Sequence, residues 1–112
     1  MSLNTEQAAF LLDVCKLVTY ATEQGFVVTG GELARTPEQQ AIYFKTGRSK
    51  TMNSIHLKRC AIDLNFFKDG KIIWSKAIIE PIGLYWESLH PKNRWGGHFS
   101  NLVDCPHFER NV

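Results

Sequence analysis

Apolar residues near the start of the chain recur every three or four positions, which predicts a first helix. Asn4 or Thr5 would cap this helix, and Gly25 would end it. Its predicted buried face has six members: Ala8, Leu11, Leu12, Cys15, Val18 and Thr22. A mostly apolar stretch at residues 26–34 then predicts a buried strand that leads into a loop.

A second helix and a hairpin are predicted next. Residues 36–39, Thr-Pro-Glu-Gln, combine a capping box with a proline in the first turn. The helix that they start is predicted to turn Ala41 and Phe44 inward. Residues 60–67 and 71–74 are predicted strands, joined by a Lys-Asp-Gly turn.

The remainder of the chain predicts a third helix and a final strand. Pro81 would open the helix, and residues 105–111 would form the strand after a glycine-bearing loop at residues 93–99. This order predicts an α+β fold, a small antiparallel sheet with about three helices packed on it. At 112 residues, the chain is predicted to be a single domain, residues 1–112.

Composition and charge exclude few classes of function. Hydrophobic residues make up 44% and charged residues 21% of the chain, as in soluble globular proteins. A net charge of +2 is too small to indicate nucleic-acid binding. No apolar run approaches the roughly 20 residues that cross a bilayer, so membrane insertion is not expected. The first residues lack the pattern of a secretory signal, and we therefore expect synthesis in the cytoplasm.

Two polar clusters carry the candidate chemistry: SIHLKRCAID, which begins at Ser54, and DCPHFE, which begins at Asp104. Asp63 alternates with apolar neighbours in a predicted strand, which is costly for a carboxylate unless it is paired or bound to a cation. His56 precedes that strand, and His107 lies in the last one. Two histidines and one carboxylate, with a fourth position left for water, are the ligand set of a catalytic zinc. Asp104 would take a proton from that water.

Other interpretations of the same residues stay open. A histidine in a loop is most often a surface residue, and Asp63 would serve equally as a partner for Arg59 or as a turn acceptor. Cys60 and Cys105 lie beside the clusters and are alternative ligands, although their spacing is not the CxxC of structural zinc sites. Cys15 is predicted to be a core residue.

The clusters resemble the signatures of zinc peptidases that cut peptidoglycan stem peptides. These are the phage L-alanyl-D-glutamate endopeptidases and the related D-alanyl-D-alanine dipeptidases and carboxypeptidases. The first cluster resembles S-x-H-x-x-G-x-A-x-D, with matches at Ser54, His56, Ala61 and Asp63. The second has an acidic residue followed three places on by a histidine, and RTPEQQ and WGGHF resemble two further features. The matches run in order from about Gly30 to Glu109.

This resemblance implies a metallopeptidase with one Zn²⁺ per chain, bound at the face of the sheet. Carried over by position, it implies these roles: His56, Asp63 and His107 as zinc ligands, Asp104 as catalytic base, Arg35 on the oxyanion, and Ser54 and Gln40 as substrate contacts. The implied partner is a peptidoglycan stem peptide, and the protein is expected to be a monomer. The implied route is that of a bacteriophage endolysin, made in the host cytoplasm without a signal peptide and released to the cell wall through a separate membrane pore.

One motif position departs from the family pattern, because Arg59 stands where the motif has glycine. We expect a negative φ at Arg59 and a side chain that points to solvent, since glycine is required only where φ is positive or space is short. The alternative is that Arg59 reaches carboxylates of the substrate. The leading hypothesis is cleavage of the L-Ala–D-Glu bond. There are two alternatives: an enzyme that cleaves at D-alanyl-D-alanine, and a binding module that keeps zinc without turnover.

Overall fold

The computed structural model describes residues 2–33, 35–47, 55–100 and 102–112. Its α-helices are α1 (Leu3–Glu23), α2 (Pro37–Lys45) and α3 (Lys76–Leu89), and short 3-10 helices lie at Ile55–Lys58 and Gly96–His98. Its strands are β1 (Val27–Gly30), β2 (Ala61–Lys68), β3 (Lys71–Ile72), β4 (Asn93–Trp95) and β5 (His107–Arg110). The prediction of a small antiparallel sheet with three helices is confirmed.

The sheet is organised around β2. Its strand order is β1-β2-β5-β4, and the short β3 pairs with the far end of β2. Residues 64–67 of β2 pair with β1, while residues 61–63 pair with β5, so that Asp63 lies directly opposite His107. Directly paired residues share a face of the sheet, which we call the front face where it carries Asp63 and His107. Phe108, between His107 and the end of β5, points to the opposite, back face.

The main core joins the back face of the sheet to α1 and α3. Edge-to-face aromatic contacts run through it, with ring centroids 5.5 Å apart for Phe10 and Trp86, 6.0 Å for Trp86 and Phe108, and 5.9 Å for Phe108 and Phe66. All four side chains are almost fully buried. This packing fixes β2 and β5 from behind and leaves their front face for polar residues.

The predicted buried face of α1 is wrong. Leu11 and Leu12 are 54% and 65% exposed, and Cys15, predicted as a core residue, is exposed as well. The residues of α1 that are buried are Glu6, Phe10, Asp13, Val14, Leu17 and Ala21. Two of these are carboxylates, and both pair with the buried Arg110 of β5, whose Nη1 lies 3.4 Å from Glu6 Oε2 and whose Nη2 lies 2.6 Å from Asp13 Oδ2. The buried side of α1 therefore combines an apolar stripe, Phe10, Val14, Leu17 and Ala21, with two carboxylates that are paired to Arg110.

Two helix starts also differ from the predictions. Ser2 caps α1, since its Oγ accepts a hydrogen bond from the Thr5 N–H at 3.2 Å. Pro81 lies inside α3, which already begins at Lys76. Ile79 and Ile82 are each 1% exposed, and the burial of Ile79 on the helix requires helical backbone ahead of the proline.

The second helix turns a different face inward from the one predicted. Ala41 and Phe44 are exposed, and the buried residue of α2 is the polar Gln40. The predicted loop at residues 93–99 contains the short strand β4 and a 3-10 helix. Gln40 is buried by its contact with Arg35, and β4 forms by backbone pairing with β5, neither of which an apolar pattern detects.

Arg59 keeps a backbone conformation that suits glycine. Its φ is +56°, so the prediction of a negative φ is wrong, whereas its side chain is exposed as expected. The left-handed region costs a residue with a Cβ about 1–2 kcal/mol. The chain turns here from the 3-10 helix into β2, and the Arg59 N–H donates to the His56 carbonyl oxygen at 3.2 Å. The turn that follows His56 is therefore kept despite the change of residue.

We expect Arg59→Gly to raise the free energy of unfolding by about 0.5–1 kcal/mol and the Tm by about 2–6 °C. Glycine relieves the left-handed strain, and its greater freedom in the unfolded chain offsets part of the gain. Thermal unfolding of the two proteins measures the difference. Arg59→Ala is the matched control, because it removes the same side chain but keeps the Cβ. An equal gain in both variants would show that backbone strain is not the cause.

Candidate metal and catalytic site

Three side chains from the two polar clusters meet at the front face of the sheet. His56 comes from the 3-10 helix, Asp63 from β2 and His107 from β5. His56 Nε2 lies 3.2 Å from His107 Nδ1, and each of these nitrogens lies 3.4 Å from Asp63 Oδ1. These three atoms are suitably placed to hold one metal ion. The two clusters of the sequence therefore meet in space, and we call His56, Asp63 and His107 the triad.

Contacts on the outer sides of both imidazoles decide which nitrogens face the triad. His56 Nδ1 lies 3.0 Å from the Leu33 carbonyl oxygen, which can only accept a hydrogen bond, so Nδ1 carries a proton. His107 Nε2 lies 2.7 Å from Glu109 Oε1 and donates to that carboxylate. The inner nitrogens, His56 Nε2 and His107 Nδ1, are thus directed at Asp63.

The electrostatics of the triad favour a positive charge at its centre. Burial raises the pKa of Asp63, but the neighbouring imidazoles of His107 and His56 outweigh burial and hold this pKa well below its ordinary value. Burial lowers the pKa of His107, and its contacts with Asp63 and Glu109 outweigh that effect and raise it to about 9. Without a cation, a proton on His107 therefore supplies the positive charge.

The donor set fits a zinc ion. Asp63 Oδ1 is buried and has no hydrogen-bond partner among the described residues. An ionised oxygen in that position is costly unless a cation compensates it. Two imidazole nitrogens and one carboxylate oxygen are ligands that zinc takes in catalytic sites, where a fourth position stays open.

Residues 31–33, just after β1, hold the triad from the other edge of β2. The Gly31 N–H donates to the Asp63 carbonyl oxygen at 2.7 Å, and the Asp63 N–H donates to the Glu32 carbonyl oxygen at 2.9 Å. The carbonyl of the next residue, Leu33, holds His56. A Cβ on Gly31 would lie 2.8 Å from the Asp63 carbonyl oxygen, so this approach requires glycine. This short segment therefore sets the positions of two triad members through its backbone.

Asp104 lies in the turn that leads into β5. Its N–H donates to the Gly96 carbonyl oxygen at 2.9 Å, and its own carbonyl accepts from the His107 N–H at 3.1 Å. A Cβ on Gly96 would collide with the Asp104 carbonyl oxygen, which shows how closely the two loops pack. Burial raises the pKa of Asp104, the charge of His107 opposes this, and Asp63 adds to it. A half-buried carboxyl group with a raised pKa, beside the triad, is suited to accepting and releasing a proton.

Arg35 belongs to a second polar group, between β1 and α2. Its Nε contacts Glu32, its Nη1 donates to Gln40 Oε1 at 2.6 Å, and its guanidinium carbon lies 4.7 Å from the ring centre of Tyr43. The Tyr43 hydroxyl donates to Glu32 Oε2 at 2.9 Å. The charge of Arg35 lowers the pKa of Asp104, so the two groups interact electrostatically.

Several predicted residues lie at or beside the triad, and others do not. Gln40 is fully buried against Arg35. Ser54 lies outside the described residues. Cys60 and Cys105 are buried, burial raises the pKa of both thiols, and within the described ranges neither belongs to the group of side chains placed to hold a metal.

Three residues near the site were not predicted from the sequence: Glu32, Tyr43 and Glu109. Glu109 had a signal, because it lies two positions after His107 in a predicted strand and so shares its face. Glu32 and Tyr43 lie on either side of the capping signal of α2 and are brought together by the turn into the helix. No local pattern marks that contact.

The profile of a peptidase M15 family, described as D-alanyl-D-alanine carboxypeptidase, matches residues 47–110 of the chain. This range is more than half of the sequence. It includes the triad and Asp104.

A curated relative and a solved structure are also similar. The L-alanyl-D-glutamate peptidase of Listeria phage A118 is 33% identical over 104 residues, covering 86% of this chain and 34% of the phage protein. The chain thus spans about a third of the length of that relative. The crystal structure of the Serratia marcescens L-Ala D-Glu endopeptidase ChiX matches with a TM-score of 0.70 at 23% identity, covering 88% of this chain and 78% of that one. That likeness shows a shared fold.

Proposed function

Since the chain belongs to the peptidase M15 family, we propose that it is a zinc-dependent peptidase that hydrolyses the L-alanyl-D-glutamate bond of peptidoglycan stem peptides. The observation that carries this proposal is the convergence of His56 Nε2, Asp63 Oδ1 and His107 Nδ1, in which the buried Asp63 oxygen makes no hydrogen bond to any described residue. One Zn²⁺ per chain, in a single catalytic domain of residues 1–112, is part of the proposal.

The proposed mechanism assigns a separate task to each polar group. Zinc held by the triad would lower the pKa of a water molecule and polarise the scissile carbonyl. Asp104 takes the proton from the attacking water and returns it to the departing amine nitrogen. Arg35 donates to the developing oxyanion, and its contacts with Glu32 and Gln40 hold the guanidinium in one orientation, as such stabilisation requires.

Two residues are proposed to bind the substrate. Ser54 is proposed from the resemblance alone. Gln40 is 0% exposed and accepts a hydrogen bond from Arg35. Its proposed contribution to substrate binding is therefore to orient the Arg35 guanidinium.

The description of the family favours a second candidate function, cleavage at a D-alanyl-D-alanine bond. The 33% identity to an L-alanyl-D-glutamate peptidase favours the first. Both reactions use the same triad and the same base, so the choice depends on which stem-peptide bond reaches Asp104.

Digestion of purified peptidoglycan, followed by mass analysis of the new chain ends, tests the proposal. We expect new N-terminal D-Glu, with free L-Ala carboxyl groups left on the glycan side. Release of D-Ala would select the second candidate. Absence of new ends from protein that carries zinc would instead indicate a binding module without turnover.

We further propose that the protein acts at the cell wall after release through a separate membrane pore. The phage origin of the relative that is 33% identical supports this route. Among the described residues, no helix combines the length and apolar character needed to cross a membrane.

Arg35→Ala should lower the rate of hydrolysis by about 10²–10³, the usual effect of removing one donor to an oxyanion. Zinc content should stay unchanged, because Arg35 is not a triad member. Lytic rate and bound zinc, measured on the same preparation, check both statements. Lys45→Ala is the control, since it removes an exposed cation from α2. Activity of Arg35→Ala within a fewfold of the wild type would contradict the role on the oxyanion.

A further inference from the structure

His107 is held from outside the triad by a carboxylate. Glu109 lies two residues further along β5, on the same face of the strand, and its Oε1 is 2.7 Å from His107 Nε2. Glu109 is only 4% exposed, so water does not solvate its charge. A buried carboxylate of this kind is stable only when its oxygens are paired.

Arg94 of β4 supplies the second partner of Glu109. The register of the sheet places Arg94 directly opposite Glu109. The Arg94 Nε donates to Glu109 Oε2 at 2.8 Å, and Nη2 contacts the same oxygen. One carboxylate oxygen of Glu109 therefore accepts from Arg94, and the other accepts from His107.

The backbone beneath these side chains is fixed to the core. The Trp86 Nε1–H group is shared between two carbonyl oxygens, of Arg94 and of Glu109, each at 3.1 Å. Trp86 is completely buried between α1 and the back face of the sheet. The main chain of both residues therefore cannot shift without disturbing the core.

We propose that Glu109, oriented by Arg94, is the positioning residue that makes His107 a metal ligand through Nδ1. By accepting a hydrogen bond from the Nε2–H group, Glu109 leaves Nδ1 as the nitrogen that offers a lone pair to the metal, and it fixes the plane of the ring toward Asp63. Glu109 touches neither the substrate nor the reacting atoms and acts only through His107. The inference rests on the proposed function to the extent that it requires a metal at the triad.

Zinc affinity, measured by competition with a chromophoric chelator, tests this role without any measurement of peptidase activity. Glu109→Ala should weaken zinc binding by about 10–100-fold, the usual effect of losing the partner of a ligating histidine. Glu109→Gln keeps an acceptor oxygen and nearly the same shape, and should recover part of the loss. Arg94→Ala keeps the Glu109 carboxylate but removes the group that orients it, and should weaken zinc binding less than Glu109→Ala.

A matched control is available on α3. Glu87 Oε1 lies 2.9 Å from His98 Nδ1, a similar carboxylate–histidine pair outside the triad. Glu87→Ala should leave the affinity for zinc unchanged. A loss equal to that of Glu109→Ala would assign the effect to general destabilisation and overturn the positioning role.

Nitrogen NMR of the histidine-labelled protein gives a second measurement, the protonation of each ring nitrogen. In the zinc-loaded wild type we expect a proton on His107 Nε2 and on His56 Nδ1. In zinc-loaded Glu109→Ala we expect His107 to be divided between two forms, one that binds through Nδ1 and one that binds through Nε2. Wild-type affinity in both Glu109→Gln and Arg94→Ala, with an unchanged His107 tautomer, would overturn the inference while the proposed function stands. These two variants keep the test decisive even if Glu109→Ala does not fold. A wild-type protein that binds no zinc would overturn both proposals.

Discussion

Asp104→Asn is expected to lower the rate of peptide hydrolysis by about 10²–10⁴ and to leave zinc bound. Asparagine is close to aspartate in shape, and the backbone bonds of this residue to Gly96 and His107 do not depend on the side chain. In the described part of the chain, the group placed to hold a metal consists of the triad and does not include Asp104. The variant therefore removes a proton acceptor while the ligands remain.

Zinc content and lytic rate of this one variant separate three roles. Bound zinc with little activity indicates a base, and loss of both indicates a ligand. If the variant keeps both its zinc and its lytic rate, Asp104 is only a turn residue and the proposed mechanism is contradicted. Asp69→Asn is the control, because Asp69 is exposed in the turn between β2 and β3, and asparagine tolerates its φ of +53°.

Replacing any member of the triad should abolish hydrolysis and remove most of the bound metal. In His56→Ala, Asp63→Ala and His107→Ala, we expect zinc to fall from about one equivalent per chain to less than about half, because two protein ligands replace three. Asp63→Ala also removes the ionised oxygen that compensates the charge of the cation. Metal analysis after removal of excess zinc measures the occupancy.

Two other variants serve as controls for this loss. His98→Ala removes a histidine that contacts Glu87 rather than the triad, and Cys60→Ser alters a buried thiol beside the motif. Both should keep zinc. Full occupancy in all three triad variants would contradict the assignment of the ligands.

The candidate ligands could be named from the chemistry of the residues, whereas their meeting in space was implied by the resemblance to a family. Asp63 among apolar neighbours is a costly carboxylate wherever it lies, and strand alternation places its side chain without knowledge of the rest of the fold. The orientation of α1 was mispredicted because two apolar stripes run along the helix, and the buried one, Phe10, Val14, Leu17 and Ala21, also carries carboxylates. A hydrophobic pattern assigns Glu6 and Asp13 to solvent, whereas both are buried against Arg110, which lies 104 and 97 residues further along the chain.

The φ of Arg59 and the buried face of α2 were misjudged for a related reason. A negative φ at Arg59 was expected from its residue type, but the turn between the 3-10 helix and β2 sets the backbone there. In this turn the Cys60 N–H also donates to the Ile55 carbonyl oxygen. Gln40 is a polar residue on a short helix, and its burial depends on Arg35. In both cases a contact made elsewhere outweighs the preference of the residue.

The position of β5 has a consequence for how the molecule is assembled. It is the last strand of the described chain, yet it inserts between β2 and β4, which are both made before it. It brings His107 to a partner 51 residues away and Arg110 to partners 97 and 104 residues away, and such long-range closures are slow steps in folding. A nascent chain that stops short of β5 has an incomplete triad in front and unpaired carboxylates on α1 behind. The metal site and the core therefore both depend on the entry of the final strand into the sheet.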